Sequence, residues 1–175
     1  MNNKFDKKKE SYPPERTICD KTLDDEGLSA YTKTGTLKDI LFKKCVFQIE
    51  VGNIWFLKNC EFQECIFEDM RMRKFDVIDC VFIDCVFSGG SFSKVDVLNS
   101  FFSKCRYLDV TCVFVWFYDS YFKSCTYNLA TFQSVANLET SAFFGCKFWK
   151  SDTWFGLPDS KKGDEFFELQ QMIDE

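Results

Sequence analysis

From Cys60 onward a bulky residue falls on every fifth position: Phe62, Phe67, Met72, Val77, Phe82, Phe87, Phe92, Val97, Phe102, Tyr107, Cys112, Phe117, Phe122, Tyr127 and Phe132. Two residues before each stands a smaller set that includes Cys60, Cys65, Cys80, Cys85, Cys105 and Cys125, and the other three columns face outward by elimination. A period of five fits neither the 3.6 of a helix nor the 2 of a strand, so the chain is expected to turn a corner at each unit. Cysteine also recurs every twenty residues, at Cys45, Cys65, Cys85, Cys105 and Cys125, and Cys60, Cys80, Ser100 and Ser120 form a second ladder of the same interval. Four units therefore close one coil, and coils stacked about 4.8 Å apart place like residues above one another. Volumes compensate within a unit, Phe75 beside Val77 and Gly90 beside Phe92, as expected of two columns that both point inward.

The phase breaks twice. Counting back from Phe62 gives Leu57, Gly52, Phe47, Phe42 and Leu37, so Gly52 leaves an inward position empty. After Phe132 the pattern resumes one residue late at Ser141, Phe143, Cys146 and Phe148, which predicts a bulge over Leu138 to Thr140. Both ends of such a coil need a cover. Residues 1–34, with Tyr12-Pro13-Pro14 and Asp24-Asp25-Glu26-Gly27, read as a partly disordered arm followed by a cap, 35–155 as the coil, and 156–175 as a tail. In that tail Asp164 can cap a short helix whose Phe166, Leu169, Met172 and Ile173 share one face. Asp174 and Glu175 oppose the dipole of this helix, so it would depend on packing.

The units Cys60-Glu61-Phe62-Gln63-Glu64 and Gly90-Ser91-Phe92-Ser93-Lys94 resemble the pentapeptide-repeat family, whose pattern is a small residue, a polar residue, Leu or Phe, and two mostly polar residues. The resemblance implies an all-β fold, a right-handed quadrilateral β-helix of about six coils and a rod of about 29 Å, with the handedness taken from the family. The chain departs from the family in favouring Cys over Ala and Phe over Leu, and in being weakly Asp/Asn-rich. In similar family members a C-terminal helix often forms the dimer interface. Phe166, Leu169, Met172 and Ile173 are accordingly candidates for homodimerisation or for capping the last coil.

Composition narrows the function. The repeat accounts for 22 Phe among the residues. No apolar h-region follows the N-terminal charges, and no stretch reaches the ~18 apolar residues of a membrane span, so a cytoplasmic protein with reduced thiols and no membrane contact is expected. The net charge of −5 lies mostly in the tail: residues 35–158 carry 13 basic and 14 acidic side chains, residues 159–175 carry 2 and 6. The one basic run, Lys7-Lys8-Lys9, is flanked by Asp6 and Glu10, so direct binding of nucleic acid is not expected. The absence of histidine removes Ser-His-Asp and Cys-His systems and the HExxH metal helix. Cysteine spacings of five and twenty are not those of zinc sites, and Ser88-Gly89-Gly90-Ser91 is a corner rather than a phosphate cradle. No catalytic residue, cofactor or metal is expected, and an enzyme is disfavoured because a smooth rod offers no cleft.

One side of the rod is marked. The face around Val77, Val97 and Phe117 presents Asp76, Ile78, Asp79, Asp96, Leu98, Trp116, Tyr118 and Asp119; the next presents Ile83, Phe101 and Tyr121. Aromatic groups rimmed by carboxylates suit a protein-binding surface, and the expected function is non-enzymatic binding that modulates or inhibits a protein target. The family resemblance implies an alternative: a DNA mimic acting on DNA gyrase, as in quinolone-resistance members, or on another DNA-handling enzyme. Asp76, Asp79, Asp96 and Asp119 would then stand for phosphates, against which the near-neutral body and the flanking Lys74 and Lys94 weigh.

Overall fold

The computed structural model describes residues 14–32, 34–49, 56–128, 130–133, 141–150 and 153–156. The chain winds into a four-sided β-solenoid in which Phe42, Phe62, Phe82, Phe102 and Phe122 stand in register on successive parallel strands. A seven-stranded sheet runs from Arg16–Cys19 to Ala142–Phe144, and an eight-stranded sheet from Thr22–Leu23 to Lys147–Lys150 and Thr153–Gly156. The remaining two faces form one six-stranded sheet, because Arg71–Ile78, Ser91–Leu98 and Thr111–Tyr118 run unbroken round a corner.

The corners explain the period of five. From Asn59 to Ser124 every fifth residue has φ between 46° and 68°, a left-handed turn that Asn, Asp and Gly tolerate best. None of these corner residues is β-branched. Each corner aims the next side chain inward, where Cys60, Cys65, Cys80, Cys85, Cys105 and Cys125 are fully buried. Their thiols donate to the carbonyls of the coil beneath, as Cys85 Sγ does to Phe62 O at 3.4 Å. Burial pushes the Cys112 thiol up to about 12 and raises Cys45 and Cys125, so these three are uncharged core filler at neutral pH. In the other ladder Ser100, Ser120 and Ser141 are at most 1% exposed. They accept from the backbone N–H groups of Cys80, Ser100 and Ser120 at 3.1, 3.2 and 3.2 Å. The hydroxyls of Ser100 and Ser120 donate to Leu98 O and Tyr118 O at 2.9 and 3.0 Å, which removes the penalty for burying them.

Three sequence expectations change. Arg16–Cys19 and Thr22–Leu23 pair with Ile40–Lys43 and Val46–Phe47 at an offset of 24 residues, so part of the segment expected as arm and cap is itself a coil. The extra residues form the helix Asp25–Ser29, with Gly27 N–H donating to Asp24 Oδ1 at 2.7 Å and Leu28 buried. Phe92, expected fully inward, is half-buried and meets Phe87 edge-on at 6.2 Å. Its partner Gly90 supplies no side chain, and Phe92 borders an apolar axial cavity of about 90 Å³. Thr153–Gly156 returns antiparallel on Lys147–Lys150, a hairpin that the repeat does not predict.

The slip after Phe132 appears as a change from 20 to 21 residues per coil, with Phe122 on Phe143. Gly52, Leu138 to Thr140 and the helical face Phe166, Leu169, Met172 and Ile173 lie outside the described residues. Among the described residues no helix is long and apolar enough to cross a membrane.

Candidate protein-binding face

Strand register turns the outward columns into rows. Across the six-stranded sheet one row reads Phe56, Asp76, Asp96, Trp116 and the next Lys58, Ile78, Leu98, Tyr118. Round the corner on the seven-stranded sheet stand Phe101 and Tyr121, stacked at 5.4 Å, with Tyr121 and Phe144 5.2 Å apart. Ile83 lies one strand below Ser103 on that sheet. Trp116, Tyr118 and Leu98 thus share a face with Asp76 and Asp96, and Phe101, Tyr121 and Ile83 share the adjoining one.

Exposure within this patch is uneven. Tyr118 is 37% exposed, whereas Trp116, Leu98, Phe101, Tyr121 and Ile83 are half-buried. Among the described residues the most exposed large apolar side chains are Phe114 at 45% and Phe56 at 42%, neither singled out by the sequence reading. Phe56 extends the row of Trp116. Phe114 occupies a corner at φ 55°, and its signal was available: it is an aromatic residue in a column otherwise of Asp, Asn, Glu, Lys, Ser and Gly from Asn59 to Ser124. Phe114 thus stands exposed at a left-handed corner, two residues before Trp116 on the strand Thr111–Tyr118. Phe114→Asn is expected to raise stability by up to about 1 kcal/mol, because Asn tolerates the left-handed corner; a urea-unfolding midpoint measures it, and a loss would show that Phe114 supports the fold.

The carboxylates form two sets. At the corner between the two faces Asp39, Asn59, Asp79, Asn99 and Asp119 follow at coil spacing. Asn59 Nδ2 donates to Asp39 Oδ1 and Asn99 Nδ2 to Asp79 Oδ1, each at 2.7 Å, and the Asn59 bond holds the Asp39 carboxyl below its ordinary value. Alternation with Asn keeps like charges two coils apart, about 10 Å. Asp76 and Asp96 instead lie directly opposite each other. Burial, and for Asp76 also the Asp96 charge, raises both carboxyls above the ordinary 3.8. A carboxyl raised on folding makes stability fall as pH rises through its folded pKa. Asp96→Asn is therefore expected to stabilise by about 0.2–1 kcal/mol at neutral pH. The gain should fade as pH falls towards 3.8, and denaturant midpoints at pH 7 and pH 3.5, values chosen to bracket that transition, test the sign.

Elsewhere an open hollow beside the short helix is lined by Asp24, Asp25, Glu26, Glu68 and Asp69. Among the described residues no group of three or more Cys, Asp or Glu is placed to hold a metal ion.

No family model and no curated protein matches the chain. Among solved structures it is similar to two trypsin-treated variants of QnrB1, a plasmid-mediated fluoroquinolone resistance protein. The identities are 11% and 10%, over 75% and 74% of this chain and 78% of each of those, with TM-scores of 0.45 and 0.46. Similarity of that degree carries no functional argument. By its own period, register and corner geometry the chain is a four-sided β-solenoid built on a five-residue repeat.

Proposed function

We propose that this chain is a non-enzymatic protein-binding protein that modulates or inhibits its target through the aromatic and acidic side of the solenoid. One observation carries the reading: Phe56, Trp116, Tyr118 and Leu98 lie in adjoining rows with Asp76 and Asp96, beside the Phe101, Tyr121 and Phe144 rings. Large aromatic groups with carboxylates at their edge supply apolar contact area and a preference for a basic partner surface. Trp116→Ala is expected to weaken binding by about 2 kcal/mol, roughly 30-fold. Affinity capture from the host with wild type and a Trp116→Ala/Tyr118→Ala variant in parallel checks it, and retention of every partner by the variant would sink the reading.

The second reading is DNA mimicry directed at DNA gyrase or another DNA-handling enzyme. The adjacent Asp76 and Asp96 favour it; Asn59 and Asn99 interrupt the corner column and thin its charge. Binding that falls steeply with salt would support mimicry, since exposed charges are screened within about 8 Å at physiological ionic strength. A salt-insensitive complex lost with Trp116→Ala supports the aromatic anchor.

A further inference from the structure

The interior is underfilled behind the candidate face. Inward volumes compensate where Phe75 stands beside Val77, and again where Val115 stands beside Phe117, but the rung between them has valine at both places, Val95 and Val97. In the neighbouring column Cys112 pairs with Phe92, which pairs with Met72, so volume is lost there as well. The space left over is the axial cavity of about 90 Å³, to whose apolar wall Val95, Val97, Phe92, Cys112 and Val115 contribute. Val95 and Val97 are buried on the inner side of the strand Ser91–Leu98, whose outer side presents Asp96 and Leu98.

Water has little hold on such a space. The volume is about three times a water's share of the liquid, ~30 Å³, but a buried water needs two to four polar partners. Apart from Cys112, Tyr107 and Tyr127, the lining side chains are those of Phe, Val, Leu and Met. Apolar cavities stay dry and take up xenon or small hydrocarbons, because the guest restores contacts that an empty space denies to the wall. The wall is thinnest at Phe92. Among the lining residues Phe92 alone is half-buried, the others being buried, and Gly90 beside it carries no side chain.

We propose that this cavity is a binding site for a small uncharged apolar molecule of about three or four non-hydrogen atoms, of the short-alkane or halocarbon class, admitted past Phe92. Ions and strongly hydrated molecules are excluded, since the wall does not repay their desolvation. Occupancy of the cavity is independent of any partner on the outer face.

Xenon and cyclopropane are the test ligands, added to the full chain labelled at its Ile, Leu and Val methyl groups and followed by carbon–proton NMR. The expected result is a saturable shift at the methyl groups of Val95, Val97 and Val115, with no comparable shift at the outward Ile78 and Leu98. Cys112→Met, which repeats at this place the residue that the column has at Met72, should fill the space and abolish the response. Should that variant not fold, Val97→Ile, one methylene larger, should weaken it. Cyclopropane at ten times its dissociation constant should also raise the folded-to-unfolded ratio of the wild type about elevenfold, read as a rise in thermal midpoint that Cys112→Met does not show. Shifts at Val95 and Val97 no larger than at Ile78 and Leu98, or a response that never saturates, would overturn the proposal. Undiminished binding by the folded filled variant would overturn it equally.

Discussion

Phe82→Ala is expected to lower stability by about 3–5 kcal/mol and to uncouple the coils on either side. Phe82 is 3% exposed. Its ring stacks on Phe62 and on Phe102, both at 4.7 Å with interplanar angles of 6° and 1°, and tilts against Phe67 and Phe87 at 6.0 and 5.8 Å. Each such pair adds about 0.5–1.5 kcal/mol beyond the area it buries, and the alanine variant loses all four. It also widens the axial cavity of about 90 Å³ that Phe82 already borders, at roughly 24 cal/mol per added Å³. Because each coil of a solenoid contacts its neighbours alone, a gap at mid-rod interrupts the only route by which the ends cooperate. Phe101→Ala is the comparison: a half-buried ring on the outer surface, stacked on Tyr121, should cost about 1 kcal/mol or less. Urea unfolding followed by circular dichroism distinguishes them, and equal losses in the two variants would refute the continuous interior stack.

Gly90→Ala is expected to cost about 3 kcal/mol or more, from left-handed strain of about 1–3 kcal/mol and a backbone collision added to it. Gly90 has φ 81°, and a Cβ there would fall within contact distance of Met70 O and 2.7 Å from Met70 N. Both atoms belong to the backbone of the coil beneath. Relief requires the coils to separate, and Ser91 N–H, which donates to Met70 O at 2.8 Å, stands at the point of separation. Gly89 differs in a way that can be measured. Its added Cβ would meet the side-chain Oδ1 of Asp69 rather than backbone, and its φ of 68° lies near that of the Asp and Lys residues at other corners. Asp69→Gly should therefore recover most of the stability lost in Gly89→Ala and none of that lost in Gly90→Ala. Thermal midpoints of the two double variants decide, and recovery of Gly90→Ala would remove the backbone-collision account.

The four-sided coil was legible in the sequence because its interior admits one volume per rung. Phe62, Phe82 and Phe102 had to repeat at twenty, and Cys65, Cys85 and Cys105 with them. The one-residue slip at Ser141 was legible for the same reason. The first coil was not, since the 24-residue offset that accommodates Asp25–Ser29 puts Ile18 and Leu23 out of phase with the column they join. The merging of two faces into one sheet depends on hydrogen bonds continuing past Lys74, Lys94 and Phe114, which no residue type in those columns announces. Rows of the candidate face followed from the columns, which is why Asp96 and Trp116 could be read as neighbours in register. Their exposure did not follow, because the solvent left to an outward side chain depends on the side chains of the rungs above and below it. Trp116 came out half-buried, while Phe56 and Phe114 stand further into solvent.

The reversed strand Thr153–Gly156 has a consequence for crowding at high concentration. A stack of parallel rungs is a template that a second molecule could extend, since the last rung offers the same pairing edge as every rung below it. On the eight-stranded sheet that edge is taken by a strand running the other way. An incoming first rung, built to continue a parallel ladder, would there meet a strand of opposite direction. On that side of the solenoid the last parallel rung is thus covered by four residues of the chain itself.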